Sequence, residues 1–295
     1  METDEIWQLV GEHACQLGES PLWDAINERI LWVDILKGEV HQYGYKNSIY
    51  KVFSSHLMIS AIALCRSGLL IAATQRGFAL IDLEKKNLIG IIDPEKHLEH
   101  NRFNDGKCDP AGRFWAGTMS VNDTPEAGCL YTLEPDFSVS AKIRGVGCSN
   151  GIAWNHEGNL MYYIDTLTRQ VVSFDFDIIN GGLSNKRVII EIPETDGYPD
   201  GMTIDSEGML WIALWGGYRI ARYNPLSGEM THNFRLPVSQ ISSCTFGGEN
   251  LQDLYVTTAK TGLQTHEIRK QPLAGRLFVI KNSGFQGLNA SKFNY

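Results

Sequence analysis

The stretches Ala111-Gly-Arg-Phe-Trp115-Ala-Gly-Thr118 and Glu207-Gly-Met-Leu-Trp211-Ile-Ala-Leu214 are two copies of one phrase. A turn holding Gly leads into a bulky residue and a short apolar run. Four further copies read Glu28-Arg-Ile-Leu-Trp32-Val-Asp34, Ser67-Gly-Leu-Leu-Ile71-Ala-Ala-Thr74, Glu157-Gly-Asn-Leu-Met-Tyr-Tyr163-Ile-Asp-Thr166 and Gln252-Asp-Leu-Tyr255-Val-Thr-Thr258. The anchors at 32, 71, 115, 163, 211 and 255 are spaced by 39, 44, 48, 48 and 44 residues. A period of roughly 40–50 residues, each holding several short strands, marks a β-propeller. Six such units fill most of the 295 residues. The expected fold is therefore all-β: a six-bladed propeller of four-stranded blades, residues 1–295 forming one domain.

Each unit reads as four strands. The first starts at a polar residue and the second carries the anchor. Runs such as Cys129-Leu-Tyr-Thr-Leu133 and Val171-Val-Ser-Phe174 supply the third, and Lys186-Arg-Val-Ile-Ile-Glu191 is an outer edge. Asn180-Gly-Gly and Asn224-Pro-Leu-Ser-Gly228 punctuate them as turns. Trp7-Gln-Leu-Val10 precedes the first unit and is expected to give an outer strand to the last blade, leaving no edge unpaired. Helical patterning is poor; only a turn around Asp93–Asn101 is expected.

Counting back from the anchors places Glu19, Ser60, Asn104, Asn150, Asp200 and Ser243 at the starts of the six innermost strands. In a propeller these starts ring one mouth of the central channel. Asp105-Gly106, Asn150-Gly151 and Asp200-Gly201 pair a polar residue with Gly, which lets inner strands crowd the axis or gives a turn with positive φ. Carboxylate and carboxamide oxygens without His or Cys suit hard cations: Ca²⁺, Mg²⁺ or Mn²⁺, with Zn²⁺ less natural. The same residue types also cap turns, so spacing alone leaves both readings open.

Bulk properties narrow the partners. Hydrophobic residues make up 43% and aromatics 10%, and the net charge is −8. No basic cluster exceeds Lys85-Lys86, so neither nucleic acid nor an anionic membrane is an expected partner. The acidic start Met1-Glu-Thr-Asp-Glu5 does not read as a signal peptide. No window approaches 18 continuous apolar residues. The six cysteines at 15, 65, 108, 129, 148 and 244 include no CxxC pair and are read as reduced thiols of a cytoplasmic protein. On that reading the sequons Asn122-Asp-Thr124 and Asn289-Ala-Ser291 are chance matches.

Together, Leu17-Gly-Glu-Ser-Pro-Leu-Trp23, Asn101-Arg-Phe-Asn-Asp-Gly-Lys107, Phe114-Trp-Ala-Gly-Thr-Met119, Ser149-Asn-Gly-Ile-Ala-Trp154, Tyr163-Ile-Asp-Thr166, Tyr198-Pro-Asp-Gly-Met202 and Thr245-Phe-Gly-Gly248 carry a resemblance. In this order the chain resembles the senescence marker protein / gluconolactonase / luciferin-regenerating enzyme family from about residue 15 to residue 280. The resemblance implies a six-bladed propeller whose Glu19, Asn150 and Asp200 hold one divalent metal, Ca²⁺ first, with Zn²⁺, Mn²⁺, Mg²⁺ or Fe²⁺ as alternatives. It implies that Arg102 and Asn104 contact substrate oxygens. Where other members carry a sugar-contacting Glu after Gly117-Thr-Met119, local alignment gives Asn122, with Asp123 beside it. The implied reaction is hydrolysis of an aldonolactone, with a small-molecule sugar lactone as partner.

On that basis Asp200 is also the candidate base toward water, and Arg102 a candidate oxyanion partner. A rim salt bridge from Arg102 to Asp105 or Glu99 is the competing structural reading. Two other functions stay open: a calcium-binding regulatory propeller without turnover, and a metal-dependent aryl-ester or organophosphate hydrolase. His97-Leu-Glu-His100 is read as solvated, Asp175-Phe-Asp177 as a hairpin, and Cys148 as an inert thiol near the channel. Trp215-Gly-Gly217 is read as blade packing, Ser60 and Ser243 as wall residues. Gly-x-Ser-x-Gly does not occur. The oligomeric state is left open.

Overall fold

A computed structural model describes residues 6–122 and 124–295. Strand β1 (Gln8–Ala14) precedes the first blade, made of β2 (Gly18–Asp24), β3 (Arg29–Asp34), β4 (Glu39–Gly44) and β5 (Tyr50–Ser54). Blade two holds β6 (Ile59–Leu64), β7 (Leu70–Thr74), β8 (Gly77–Asp82) and β9 (Asn87–Ile92). Blade three holds β10 (Asn101–Cys108), β11 (Phe114–Ser120), β12 (Gly128–Leu133) and β13 (Val139–Val146). Blade four holds β14 (Ser149–Trp154), β15 (Leu160–Asp165), β16 (Gln170–Asp177) and β17 (Gly182–Glu191). Blade five holds β18 (Tyr198–Ile204), β19 (Leu210–Trp215), β20 (Arg219–Tyr223) and β21 (Met230–Arg235). Blade six takes β22 (Ile241–Gly247), β23 (Asp253–Thr258) and β24 (Arg276–Ile280), and β1 completes it in the order β1-β24-β23-β22. All strand pairings within the blades are antiparallel. The expected closure by the N-terminal strand is thus present: Gln8, Leu9 and Val10 face Val279, Phe278 and Leu277.

The anchors hold the ring together because each lies between blades. Trp115 packs with Trp154, Tyr163 and Phe174 of blade four, and Trp211 with Phe246 and Phe278 of blade six. Trp32 of blade one joins Tyr255 and Val279 of blade six. The turn ahead of two anchors is built by one aspartate. Asp109 accepts the indole N–H of Trp115 at 2.8 Å and the backbone N–H groups of Ala111 and Arg113 at 2.9 and 3.0 Å. Asp205 repeats this with Trp211 at 2.9 Å and with Glu207 and Met209, both at 3.0 Å. A buried carboxylate that is fully hydrogen-bonded costs little and orients the ring it holds.

A six-residue helix, α1 (Thr265–Lys270), lies in the β23–β24 connection. Its sequence is too short to show periodicity; Glu267, accepting the Gln264 backbone N–H at 2.8 Å, starts it. Asp93–Asn101 forms turns, as expected. Asp175 and Asp177 end strand β16 before a hairpin, and His97 and His100 are exposed. All six cysteines are free. Among the described residues no helix is long and apolar enough to cross a membrane.

Candidate functional site

The six inner strands share one irregularity. The register shifts between Glu19 and Leu22, Ile59 and Ala61, Phe103 and Gly106, Ser149 and Ile152, Pro199 and Met202, and Ile241 and Ser243. Each shift sits at or beside the polar start. A bulge re-aims a side chain and bends its strand, so six bulges turn six strand starts to one place. Gly151 and Gly201 permit the crowding. A Cβ on Gly151 would lie 2.8 Å from the Asp200 carbonyl oxygen, and one on Gly201 2.8 Å from that of Ser242.

Glu19, Asp105 and Asp200 are buried at 5%, 7% and 7% exposure. Burial raises all three carboxyls above their ordinary range. The charge of Asp105 raises Glu19 and Asp200 further, and Asp200 also raises Glu19. Each carboxylate meets a neighbouring backbone N–H: Ser20 to Glu19 at 2.6 Å, Gly106 to Asp105 at 2.7 Å, and Gly201 to Asp200. The cations facing them are Arg102 and Lys107, both held down by burial. Lys107 donates to the Met202 carbonyl at 2.6 Å.

A chain of hydrogen bonds runs beside the carboxylates. Arg102 Nη1 donates to the Phe103 carbonyl at 2.8 Å and to Asn104 Oδ1 at 2.9 Å. Asn104 Nδ2 donates to Ser149 O at 2.8 Å and to Asn150 Oδ1 at 3.2 Å. Asn150 Nδ2 donates to Thr166 Oγ1 at 2.7 Å, and Thr166 donates on to Pro199 O at 2.8 Å. Thr166 thereby fixes the carboxamide of Asn150 with its oxygen toward Asn104. Among the described residues Arg102 makes neither rim salt bridge, to Asp105 or to Glu99; it faces Glu19 and Asp200 instead.

The sequence-derived candidates therefore divide. Arg102, Asn104 and Asn150 are linked directly, and Glu19 and Asp200 sense one another's charge. Asn122 lies apart from these contacts: it is exposed in the turn after β11, its N–H on Ser120 Oγ at 3.2 Å, and Asp123 lies outside the described residues. Ser60 ties blade two to blade three through the Phe103 carbonyl at 2.6 Å. Asp105 is the buried carboxylate that the sequence reading did not assign, although Asp105-Gly106 repeats the step of Asn150-Gly151 and Asp200-Gly201. Cys148 stands beside the site, its Sγ 3.7 Å from Met119 Sδ. Burial pushes its thiol up to about 12, the Asp200 charge adding to this, which keeps it un-ionised.

Three buried carboxylates against Arg102 and the half-buried Lys107, with the Asn104 and Asn150 carboxamides beside Arg102, fit a hard divalent ion. The sign of the resulting pH dependence follows. Folded-state pKa values above the unfolded ones of about 3.9 and 4.3 favour the protonated native state. Without metal, this contribution to stability is complete below the unfolded values and is lost as pH rises through the folded ones. With chelator, Tm is expected to fall between about pH 5 and about pH 8; with Ca²⁺, the Tm gain over chelator should widen across that range. A pH-independent gain would contradict ion binding to these carboxylates.

The central channel continues past Asp105 and Lys107 as a cavity of about 360 Å³ lined by Trp154, Thr203, Ser243 and Leu288. Residues 288–291 of the C-terminal segment also line it.

Residues 17–260 match the model of the SMP-30/Gluconolactonase/LRE-like region. The chain is 36% identical over 279 residues to regucalcin of Pongo abelii, covering 93% of each. It is 39% identical over 272 residues to YvrE of Bacillus subtilis (strain 168), whose name proposes a sugar lactone lactonase, covering 92% of this chain and 93% of that protein. A solved luciferin-regenerating enzyme superposes with a TM-score of 0.92 at 30% identity, over 98% of this chain and 99% of the other. Regucalcin of Agrobacterium tumefaciens, described as calcium-binding, gives a TM-score of 0.93 at 26% identity over 97% of each. With its fold, its bulged axial residues and these matches in agreement, the chain belongs to the SMP-30/gluconolactonase/LRE-like family.

Proposed function

We propose that the protein is a divalent-metal-dependent sugar lactonase that hydrolyses an aldonolactone of the gluconolactone or pentonolactone type to the aldonic acid. The observation carrying this reading is the pairing of buried, mutually repelling carboxylates with the Arg102–Asn104–Asn150 chain at one channel mouth. Glu19, Asn150 and Asp200 would hold the ion, Ca²⁺ by preference, and Asp105 adds negative charge behind them. A divalent ion there supplies polarisation of the lactone carbonyl and a more acidic water. Arg102, fixed on Asn104, presents guanidinium N–H groups to an oxygen that gains charge as the carbonyl is attacked. Asn104 positions hydroxyls, and Asn122 at the rim takes the place of a more distant sugar contact. Asp200 accepts the proton of the attacking water, as a carboxylate held beside the ion. The six free cysteines suit a cytoplasmic setting.

The test is a pH-indicator assay on glucono-, xylono-, galactono- and arabinonolactone, with and without chelation, each metal being added back and the spontaneous rate subtracted. Turnover restored by metal is expected; none with any lactone would refute the enzyme reading. The calcium-binding description of the Agrobacterium relative favours a second reading, ion binding without turnover. Calcium binding accompanied by no hydrolysis would select it. Arg102→Lys keeps the charge but loses the fork; it is expected to lower kcat/KM by about 10²-fold, mostly through kcat. A change confined to KM would remove Arg102 from the developing charge.

A further inference from the structure

A second cluster lies at the seam where the ring closes. Strand β1 belongs to blade six and ends beyond His13; Cys15 follows as the chain crosses to blade one. The β3–β4 hairpin of blade one returns Asp34, Glu39 and His41 to the same place, with Trp32 opposite His41 and Asp34 opposite Glu39. Donor atoms of His13, Cys15, Asp34 and His41 all lie within 4.8 Å of one another. Cys15 Sγ is 3.8 Å from His41 Nε2, and Glu39 Oε2 is 3.6 Å from His41 Nε2 and 3.9 Å from His13 Nε2.

Two of these atoms are buried without a hydrogen-bond partner: His13 Nε2 and Glu39 Oε2. Such orphans cost about 1–3 kcal/mol each, and both point into the cluster. His41 is fully buried. Its Nδ1 lies 2.7 Å from the Tyr50 hydroxyl; with the proton on Nδ1, the lone pair of Nε2 faces Cys15. Asp34 is already committed, accepting the backbone N–H groups of Gln16 at 2.8 Å and Leu17 at 3.1 Å. Its carboxylate lies within the cluster, but these N–H groups and Lys37 Nζ at 3.7 Å occupy it, so it braces the Cys15 segment.

We propose that His13, Cys15, Glu39 and His41 form a structural Zn²⁺ site that clips the closing strand of blade six to blade one. Tetrahedral zinc, with Zn–S about 2.3 Å and Zn–N about 2.0–2.1 Å, sets ligand nitrogen and sulfur about 3.6 Å apart, close to the separation found. One thiolate, one carboxylate and two neutral imidazoles balance the ion's charge, the Cys15 proton passing to solvent on binding. Burial lowers His41 to about 3 and lowers His13 as well, which keeps both imidazoles in the ligating neutral form. Sulfur and nitrogen donors select zinc here, whereas the oxygen-only axial site prefers Ca²⁺. The two sites are thus separable by metal, and the zinc site stands whether or not the axial site hydrolyses lactones.

The experiment uses the full chain, stripped of metal and then saturated with Ca²⁺, and Co²⁺ as a spectroscopic stand-in for zinc. One equivalent of Co²⁺ should give a thiolate-to-cobalt charge-transfer band that one equivalent of Zn²⁺ bleaches. Cys15→Ser should abolish the band, and Asp200→Asn should leave it unchanged. His13→Ala, at a partly exposed position, should weaken Co²⁺ binding at least about 10-fold and remove the Tm gain that Zn²⁺ gives the wild type. The proposal is overturned by absence of the band at one equivalent, by its survival in Cys15→Ser, by its loss in Asp200→Asn, or by zinc protection that His13→Ala leaves intact.

Discussion

Asp200→Asn is expected to lower metal-dependent lactone hydrolysis by about 10³-fold while leaving the protein folded. The substitution keeps shape and removes one of three buried like charges. In chelator at neutral pH the variant should therefore melt higher than the wild type, because Glu19 loses a repelling neighbour. The Tm gain on adding Ca²⁺ should shrink, since the ion loses a charged oxygen. Activity and metal-free stability thus move in opposite directions, as expected of a charged site maintained at a cost to the fold. Wild-type turnover with metal affinity retained would remove Asp200 as the base; a lower Tm in chelator would show that its contacts outweigh the repulsion.

Phe293→Ala carries the largest expected effect on stability. Phe293 is fully buried at the opposite face of the ring, in a cluster with Cys65, Ile71, Phe78, Phe103 and Phe114 of blades two and three. Its backbone N–H donates to Leu64 O at 2.8 Å, and its carbonyl accepts from Arg66 N–H at 3.0 Å. Asn294 continues onto blade three through the Ala111 and Gly112 carbonyls at 2.7 and 3.0 Å. Deleting a fully buried phenyl ring costs about 3–5 kcal/mol, which should lower Tm on the order of 10 °C, read by calorimetry. Phe103 ties the two ends of the blade together: it touches this cluster, and its carbonyl accepts from Arg102 and Ser60. A change below about 1 kcal/mol would mean that the cluster repacks without the tail.

The amino-acid sequence by itself determined the repeat, the number of blades, the interblade anchors and the closing strand. These are local: a turn, a bulky residue and an apolar run recur because every blade solves the same packing problem. It also pointed to Glu19, Asn104, Asn150 and Asp200 on the inner strands, although Asn104 lies within β10 rather than at its start. Only the tertiary structure decided what the starts do there. The bulges that re-aim them leave no regular period, and Thr166, which orients Asn150, lies 16 residues downstream in another strand connection. Asp105 becomes a site residue only when burial and the charges of Glu19 and Asp200 meet it. The tail at Phe293 and the His13–Cys15–Glu39–His41 cluster are likewise invisible to periodicity: the tail packs on blades two and three, far from it in the chain, and the cluster joins blades six and one, which meet only once the ring has closed.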